Sequence, residues 1–375
     1  MKTFAALLFG TSTQQSLRYK KGQWLALYGK QNEERKIREV LSALDRPDVA
    51  LISWPLQSGF GSLANPFASG LRNVNAKDAR KIWRILKRLS RRHPLYVVLR
   101  ASAILMTYAR VKPLLAEKRP AGLVLSTATN PHGLAFMALG RSLGIPVVYV
   151  SHGAITQGPA KLWCSLGLFH GRAAHQLLLN SNSEIGSALF YGFKDEYRPI
   201  EIPARGERID VCVCLSKDFE LRNIRHLVDE ISRFIKAARI RIRGHPDSIA
   251  SISADLFGSN VVVQPGTSLE DDLKGCSFAV CGSSTVHLEV LLRGVPTFFA
   301  PNIDWKEPEP LLFIRQGLIP EWNAFEDFGT MSEILRRHYT RPDWEDRFSQ
   351  YMNVVDRKNE FGTRVARDIS LLAGD

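Results

Sequence analysis

A chain of 375 residues with 45% hydrophobic side chains can bury a substantial core, which excludes a disordered or fibrous polypeptide and suggests two domains by length. The formal charge of +13, from 50 Lys and Arg against 37 Asp and Glu, calls for an acidic partner: nucleic acid, an anionic membrane or a phosphorylated substrate. No run approaches roughly eighteen uninterrupted apolar residues, so no membrane span is expected.

The first apolar run, Phe4–Phe9, is followed by Gly10-Thr11-Ser12-Thr13, which is no A-x-A cleavage site. It reads as a strand rather than a signal peptide. Trp24–Tyr28 is a second short apolar run, Glu33–Leu44 is helical and Val49–Trp54 is a strand. Residues 54–74, rich in Gly, Ser, Asn and Pro, are too long for a simple connection and are either a functional loop or a disordered one. Lys77–Arg92 predicts a helix with an apolar stripe of Ala79, Ile82, Trp83, Leu86 and Leu89. Eight basic residues cover the rest: Lys77, Arg80, Lys81, Arg84, Lys87, Arg88, Arg91 and Arg92. The stripe is expected to pack on the domain, and the charge to meet an anionic membrane surface electrostatically rather than by burial. The helix at Tyr96–Lys118 is more apolar and is expected to be internal.

Strand Gly122–Ser126, helix Pro131–Leu143 and strand Pro146–Val150 form a βαβ unit that is expected to close the first domain's sheet. It sets Ser151-His152-Gly153 at a carboxyl strand end, where ligands bind in open α/β sheets. His152 there is either a hydrogen-bonded structural residue or a functional one; Asn130 and His132, at the start of the preceding helix, lie near the same edge. Residues 200–208 (IEIPARGER) read as an interdomain linker. Strands Ile209–Leu215, Arg239–Arg243, Asn260–Gln264, Phe278–Cys281 and Thr297–Phe299 then alternate with helices Glu220–Ala238, Asp247–Phe257, a short one after Ser268, and Thr285–Leu292. Such regular alternation predicts a parallel, doubly wound sheet. Ser268 with Asp271 is like a capping box, and Glu270, Asp271 and Asp272 suit the helix dipole there. Five cysteines (Cys164, Cys212, Cys214, Cys276, Cys281) include no CxxC pair and are expected to be buried thiols of a reducing compartment.

Two stretches stand out. In RIRIRGHP, Ile240 and Ile242 alternate with Arg239, Arg241 and Arg243 before Gly244-His245-Pro246 breaks the strand. In CGSSTVHLEVLLRGVP, a strand runs through Gly282-Ser283-Ser284 into a helix that Gly294 and Pro296 stop. A turn of glycine and hydroxyls at a helix N-terminus offers N–H groups to an anion, phosphate being the usual one. Alternatively, Ser284 only caps its helix. Arg243 and His245 would point at the same crevice.

These residues carry a family resemblance. Arg243-x-His245-Pro246, followed by Ser283-Ser284-Thr285 and Glu289 in a strand–turn–helix, resembles the C-terminal domain of bacterial GT-B glycosyltransferases of the capsule and lipopolysaccharide type. That group holds Kdo transferases, polysialyltransferases and CDP-glycerol glycerophosphotransferases. The match is clearest over residues 120–300. It implies an α/β GT-B architecture of two Rossmann-like domains with a cleft between them: residues 1–200 for the acceptor, 201–345 for the nucleotide-sugar, and a helix over 346–375 crossing back. It further implies that Arg243, His245, Ser283, Ser284 and Thr285 bind the donor phosphate. Glu289, Pro265 and Gly266 would meet the ribose or base, and His152, Gly153, Asn130 and His132 the acceptor. His152 and His245 are the catalytic candidates, His245 protonating the leaving phosphate.

The expected activity is sugar transfer from a nucleotide-activated donor to a surface polysaccharide or lipid-linked oligosaccharide, a CMP-linked acid such as CMP-Kdo or CMP-sialic acid being favoured by the resemblance. Asp271-Asp272 lies inside a helix start and no DxD-like pair follows a strand, so no metal or other cofactor is expected. The expected location is cytoplasmic, at the inner face of the cytoplasmic membrane. The alternatives are a UDP-sugar transferase or epimerase of the same fold, or a non-catalytic polysaccharide- or nucleic-acid-binding protein. Nucleic acid is not expected, because the basic residues gather on one helix without aromatic interleaving.

Overall fold

The structure is a computed structural model that describes residues 19–28, 31–43, 49–53, 76–126, 130–151, 155, 161–191, 197–204, 208–216, 219–235, 238–245, 252–264, 268–304, 311–323, 325–352, 365 and 367–368. The expected strand Phe4–Phe9, the segment 54–74, and His152, Gly153, Pro265 and Gly266 lie outside the described residues.

Among the described residues the strands form two parallel sheets. The first has the order β2-β1-β3-β4-β5-β6, with β1 at Trp24–Tyr28, β2 at Val49–Ser53, β3 at Gly122–Leu125, β4 at Val147–Val150, β5 at Trp163–Phe169 and β6 at Glu184–Phe190. The central strands are buried on both faces, which is why they read as continuous apolar runs. Around them stand α1 (Gln31–Ala43), α2 (Ala76–Leu89), α3 (Leu95–Glu117), α4 (Pro131–Leu143) and α5 (Arg172–Asn180). α4 has the predicted bounds because its ends are written locally. Asn130 Oδ1 accepts from the Gly133 N–H at 2.7 Å, Pro131 opens the first turn, and Gly144 closes the helix at φ +62.

One expectation is corrected here: β4 does not close the first sheet, because β5 and β6 extend it. Ser165 and Gly167 interrupt the apolar run of β5. Gly167 is needed there, since a Cβ would stand 2.4 Å from the Phe169 ring. β6 is the edge strand and is mostly half-buried or exposed, so it carries little apolar signal.

The second sheet has the order β11-β10-β7-β8-β9, with β7 at Asp210–Cys214, β8 at Arg239–Arg243, β9 at Val261–Gln264, β10 at Phe278–Cys281 and β11 at Thr297–Phe299. The helices are α6 (Leu221–Phe234), α7 (Leu269–Leu273), α8 (Val286–Leu292), α9 (Phe328–Tyr339) and α10 (Trp344–Tyr351). The period of two sorts the strands' side chains. Val211, Val213, Ile240, Ile242, Phe278 and Val280 share the large core with Ile224, Leu227 and Ile231 of α6. Cys212, Cys214, Ala279 and Cys281 face the other way, against Leu269 and Leu273 of α7 and Val290 of α8. All five cysteines are unpaired thiols, as expected, and burial pushes Cys164 up to about 12.

Two predicted helices differ. Of Asp247–Phe257 the described part holds only the 3-10 turn Ala254–Leu256. The last helix ends at Tyr351, where Met352 turns extended (φ −133, ψ 111), although Val365 and residues 367–368 are again helical. The tail touches both sheets' domains. Trp344 and Phe348 lie in the second core, Tyr351 packs against Gly171 at the start of α5, and Val365 is buried with Trp24, Ala26 and Val148 of the first.

Candidate active site

In a doubly wound sheet the ligand crevice lies at the carboxyl edge where the strand order reverses. In the second sheet that point is between β7 and β10, since the chain runs from β7 through β8 and β9 on one side and returns through β10 and β11 on the other. The register aligns the edge: Cys214 pairs with Cys281 on one side and Arg243 on the other, and Arg243 with Gln264. The ladder continues one step, as the Leu215 N–H donates to the Arg243 carbonyl (2.9 Å) and the Ala300 N–H to that of Cys281 (2.8 Å). Two residues beyond the aligned row stand Ser283 after β10, Ser216 after β7 and His245 after β8. The Gly-Ser turn and the Arg-x-His turn therefore flank β7, two strand spacings or about 10 Å apart.

Asp304, which sequence reasoning did not single out, sits at the centre of this edge. It forms an isolated antiparallel bridge with Phe219 and is buried. Its Oδ1 accepts from the Ser216 hydroxyl (2.6 Å) and its Oδ2 from the Ser283 N–H (2.5 Å). A Cβ at residue 282 would stand 2.2 Å from Oδ2, so only glycine admits the carboxylate. Under the turn, His287 is fully buried with Nε2 3.0 Å from the Gly282 carbonyl and Nδ1 3.0 Å from Thr297 Oγ1. A carbonyl only accepts, so Nε2 carries the proton and Nδ1 accepts from the threonine. Burial holds the ring neutral, its pKa lowered to about 4.

The turn is not a row of open N–H groups, which corrects the sequence expectation. The Ser283 N–H serves Asp304, the Ser284 N–H serves the Gly282 carbonyl (2.7 Å) and the Val286 N–H serves Ser284 Oγ (3.3 Å). Ser284 is thus a local cap. The Thr285 N–H and the hydroxyls of Ser283 and Thr285 are the turn's remaining donors, with no hydrogen bond among the described residues. Glu289 is half-buried one turn into α8, its carbonyl accepting from Arg293 Nη1 at 2.8 Å.

On the other flank, the arginines of β8 divide. Arg241 is buried and structural: it pairs with Asp210 Oδ2 at 2.6 Å and donates to the carbonyls of Asp272 (2.8 Å) and Lys274 (2.9 Å). Arg243 is half-buried at the edge, its Nε 2.7 Å from Oδ2 of Asp272, an ion-pair contact whose angle falls short of a hydrogen bond. Asp272 is 1% exposed, and the capping contact of Ser268 with the Asp271 N–H (3.1 Å) sets the α7 turn that carries it. Asp272 therefore does more than suit a helix dipole; it orients Arg243. His245 is half-buried just past the strand end.

In the first sheet the strand order reverses between β1 and β3. Asn130, after β3, is spent on capping α4. His132 is buried with Nδ1 2.9 Å from Thr107 Oγ1 of α3, and desolvation lowers its pKa to about 4. Both lie near the expected edge, and their described contacts are structural. A further histidine passed over in the sequence, His170, is buried at the end of β5, its ring 4.7 Å from that of Tyr191, whose hydroxyl donates to the Ser151 carbonyl. The only sequence signal for it was its place after an interrupted apolar run.

No protein-family model matches the chain, and no curated protein matches it in sequence. Solved structures do match. CalG4, the calicheamicin glycosyltransferase, is similar over 95% of this chain and 99% of its own, with 11% identity and a TM-score of 0.57. The glycotransferase of kitacinnamycin covers 94% of this chain and 98% of its own at 12% identity and a TM-score of 0.53. UDP-N-acetylglucosamine 2-epimerase from Rickettsia bellii covers 94% and 97% at 11% identity and a TM-score of 0.51. The fold is that of the GT-B proteins, two Rossmann-like α/β domains with parallel sheets.

Proposed function

We propose that this GT-B chain is a glycosyltransferase that takes a nucleotide-activated sugar at the carboxyl edge of its second sheet. The observation that carries the proposal is the strand register at the β7/β10 reversal, which sets Arg243 and His245 on one flank of β7 and Ser283 and Thr285 on the other. Sugar transfer breaks the bond between the anomeric carbon and the donor phosphate oxygen, and the phosphate leaves with the electron pair. The acceptor oxygen forms the new bond and passes its proton to His152, the catalytic candidate on the acceptor side. Fixed donors aimed at the leaving phosphate lower that barrier. Arg243, oriented through Nε by Asp272, offers its Nη groups to the phosphate. The hydroxyls of Ser283 and Thr285 donate from the opposite side, and His245 supplies the proton. Asp304 and His287 hold the turn from below as positioning residues.

Glu289, Pro265 and Gly266 would meet the nucleoside. The acceptor, a glycan or glycolipid, would lie toward the first sheet with His152 and Gly153. The Arg-x-His-Pro and Ser-Ser-Thr signatures favour a cytidine donor, CMP-Kdo or CMP-sialic acid. No divalent cation is assigned, because Asp271 is tied to Ser268 and Asp272 faces Arg243.

A second reading, a UDP-sugar epimerase of the same fold, is favoured by the buried carboxylate of Asp304 at the crevice and by the epimerase similarity. A thermal-shift series with CMP, CDP, UMP, UDP and GDP, with and without EDTA, separates the cytidine donor from the UDP-sugar that an epimerase requires. A cytidine-selective rise that survives EDTA and is lost in Arg243→Ala and His245→Ala is expected. Saturation at about a hundredfold excess over Kd would stabilise the fold by about 2.7 kcal/mol. A uridine-selective rise moves the assignment to a UDP-sugar, and no rise with any nucleotide removes it.

A further inference from the structure

Among the described residues, the four most exposed large hydrophobic side chains, Leu95, Tyr96, Trp83 and Ile85, all lie on the α2–α3 hairpin. Ile82 of α2 is buried and Ala79, Leu86 and Leu89 are half-buried, so most of the predicted stripe packs inward. Trp83, expected to pack with them, is 57% exposed, and Ile85 is 44% exposed. At about 100° per residue, Trp83 and Ile85 fall on the two shoulders of the packed stripe. Beyond the end of α2 the chain turns through Ser90–Pro94, and α3 opens on Leu95 and Tyr96, which are 66% and 64% exposed.

The turn closes on itself. The Ser90 N–H donates to the Leu86 carbonyl, and the N–H groups of Arg92 and His93 both donate to that of Leu89. The N–H groups of Ser90, Arg92 and His93 are therefore satisfied, while those of Arg91, Leu95 and Tyr96 have no acceptor among the described residues, so the backbone of the tip belongs at the level of the hydrated headgroups and only side chains go deeper. Around the tip stand Lys87, Arg88, Arg91 and Arg92, all exposed, and Asp78 is the one acid between residues 76 and 116.

We propose that the tip of this hairpin docks on an anionic phospholipid bilayer, with Leu95 and Tyr96 inserted below the headgroups and Trp83 and Ile85 at the interface. The charge decides the partner. A second copy of the chain would bring two basic faces together, whereas an anionic bilayer neutralises them. The basic stems lie along the apolar side chains and carry their charged ends to lipid phosphates. Tyr and Trp suit the boundary because each has an apolar ring and one polar atom. The proposal thus adds shallow insertion to the electrostatic contact expected from the sequence. The proposal is independent of the sugar-transfer assignment.

The test is flotation of the full chain with vesicles of phosphatidylcholine alone, or of equal parts phosphatidylcholine and phosphatidylglycerol. It is run at about 0.1 M and about 1 M salt, where the Debye length falls from roughly 10 to 3 Å. The wild type should float with anionic vesicles only. An Arg88→Glu/Arg91→Glu/Arg92→Glu variant should bind at least tenfold more weakly. A Leu95→Ser/Tyr96→Ser variant should keep the low-salt binding and lose the part that survives high salt. All substituted side chains are exposed, so melting temperatures should match the wild type. Failure to bind anionic vesicles, or equal binding by both variants, overturns the proposal. So does light scattering that shows a dimer dissociated by Leu95→Ser/Tyr96→Ser, or displacement of vesicles by single-stranded RNA at equal charge.

Discussion

His287 illustrates how one buried side chain sets the geometry of the crevice. Its ring is neutral in the fold, with a pKa near 4, against about 6.5 in the unfolded chain. Between those values the unfolded state binds the additional proton, so stability is complete above pH 6.5 and is lost as the pH falls toward 4. His132, also lowered to about 4 by burial, acts in the same window. Each contributes up to about 3 kcal/mol of pH dependence. Melting temperature should therefore fall between pH 6.5 and 4. His287→Leu should lower stability at pH 7 by about 1–3 kcal/mol, through loss of its bonds to the Gly282 carbonyl and the Thr297 hydroxyl, yet make the fall shallower. An unchanged slope in the variant would assign the acid sensitivity elsewhere.

Within β8, a strand of alternating Arg and Ile is stable because each arginine has a particular fate. Arg239 is exposed, Arg241 is locked against Asp210 and two carbonyls, and Arg243 stands at the carboxyl edge against Asp272. Breaking a buried pair leaves one charge uncompensated in the interior, at about 3–5 kcal/mol, while replacing both partners by apolar residues is often neutral. Asp210→Ala should thus shift the urea midpoint down by an amount equivalent to several kcal/mol. Asp210→Leu/Arg241→Met should recover most of it. If the double variant is as unstable as the single, Arg241 matters through its bonds to the Asp272 and Lys274 carbonyls rather than through the ion pair. α4 offers the contrast, because its cap, its Pro131 and its Gly144 are all within one turn of the ends they set.

At the scale of the molecule, the chain's last described residues tie its parts together. The Tyr197 ring lies tilted against that of Phe348 with centroids 5.7 Å apart, the Arg198 N–H donates to the Leu292 carbonyl (2.9 Å), and the Ser332 hydroxyl to that of Pro203 (3.0 Å). Gly171, opening α5, lies so close to α10 that a Cβ would be 2.3 Å from the carbonyl carbon of Tyr351. Backbone cannot yield as a side chain does, so Gly171→Ala should cost about 1–3 kcal/mol. It should also raise the rate of limited proteolysis after Tyr351. A variant as stable and as protected as the wild type would show that α10 does not bear on α5.

The sequence alone determined the alternation of strand and helix, the parallel second sheet, the bounds of α4, the strand ends at Arg243 and Cys281, and the unpaired thiols. These follow from periodicity, capping and glycine or proline placement, all of which act over a few residues. The tertiary structure alone decided what the turns after those strand ends face. Asp272 reaches Arg243 from 29 positions away, and Asp304 reaches Ser283 from 21, because the sheet order brings separate strand ends to one edge. The same return of the chain adds β5 and β6 to the first sheet and leaves Trp83, Leu95 and Tyr96 uncovered. Which neighbour a side chain meets depends on how the chain comes back, and local patterning holds no record of that.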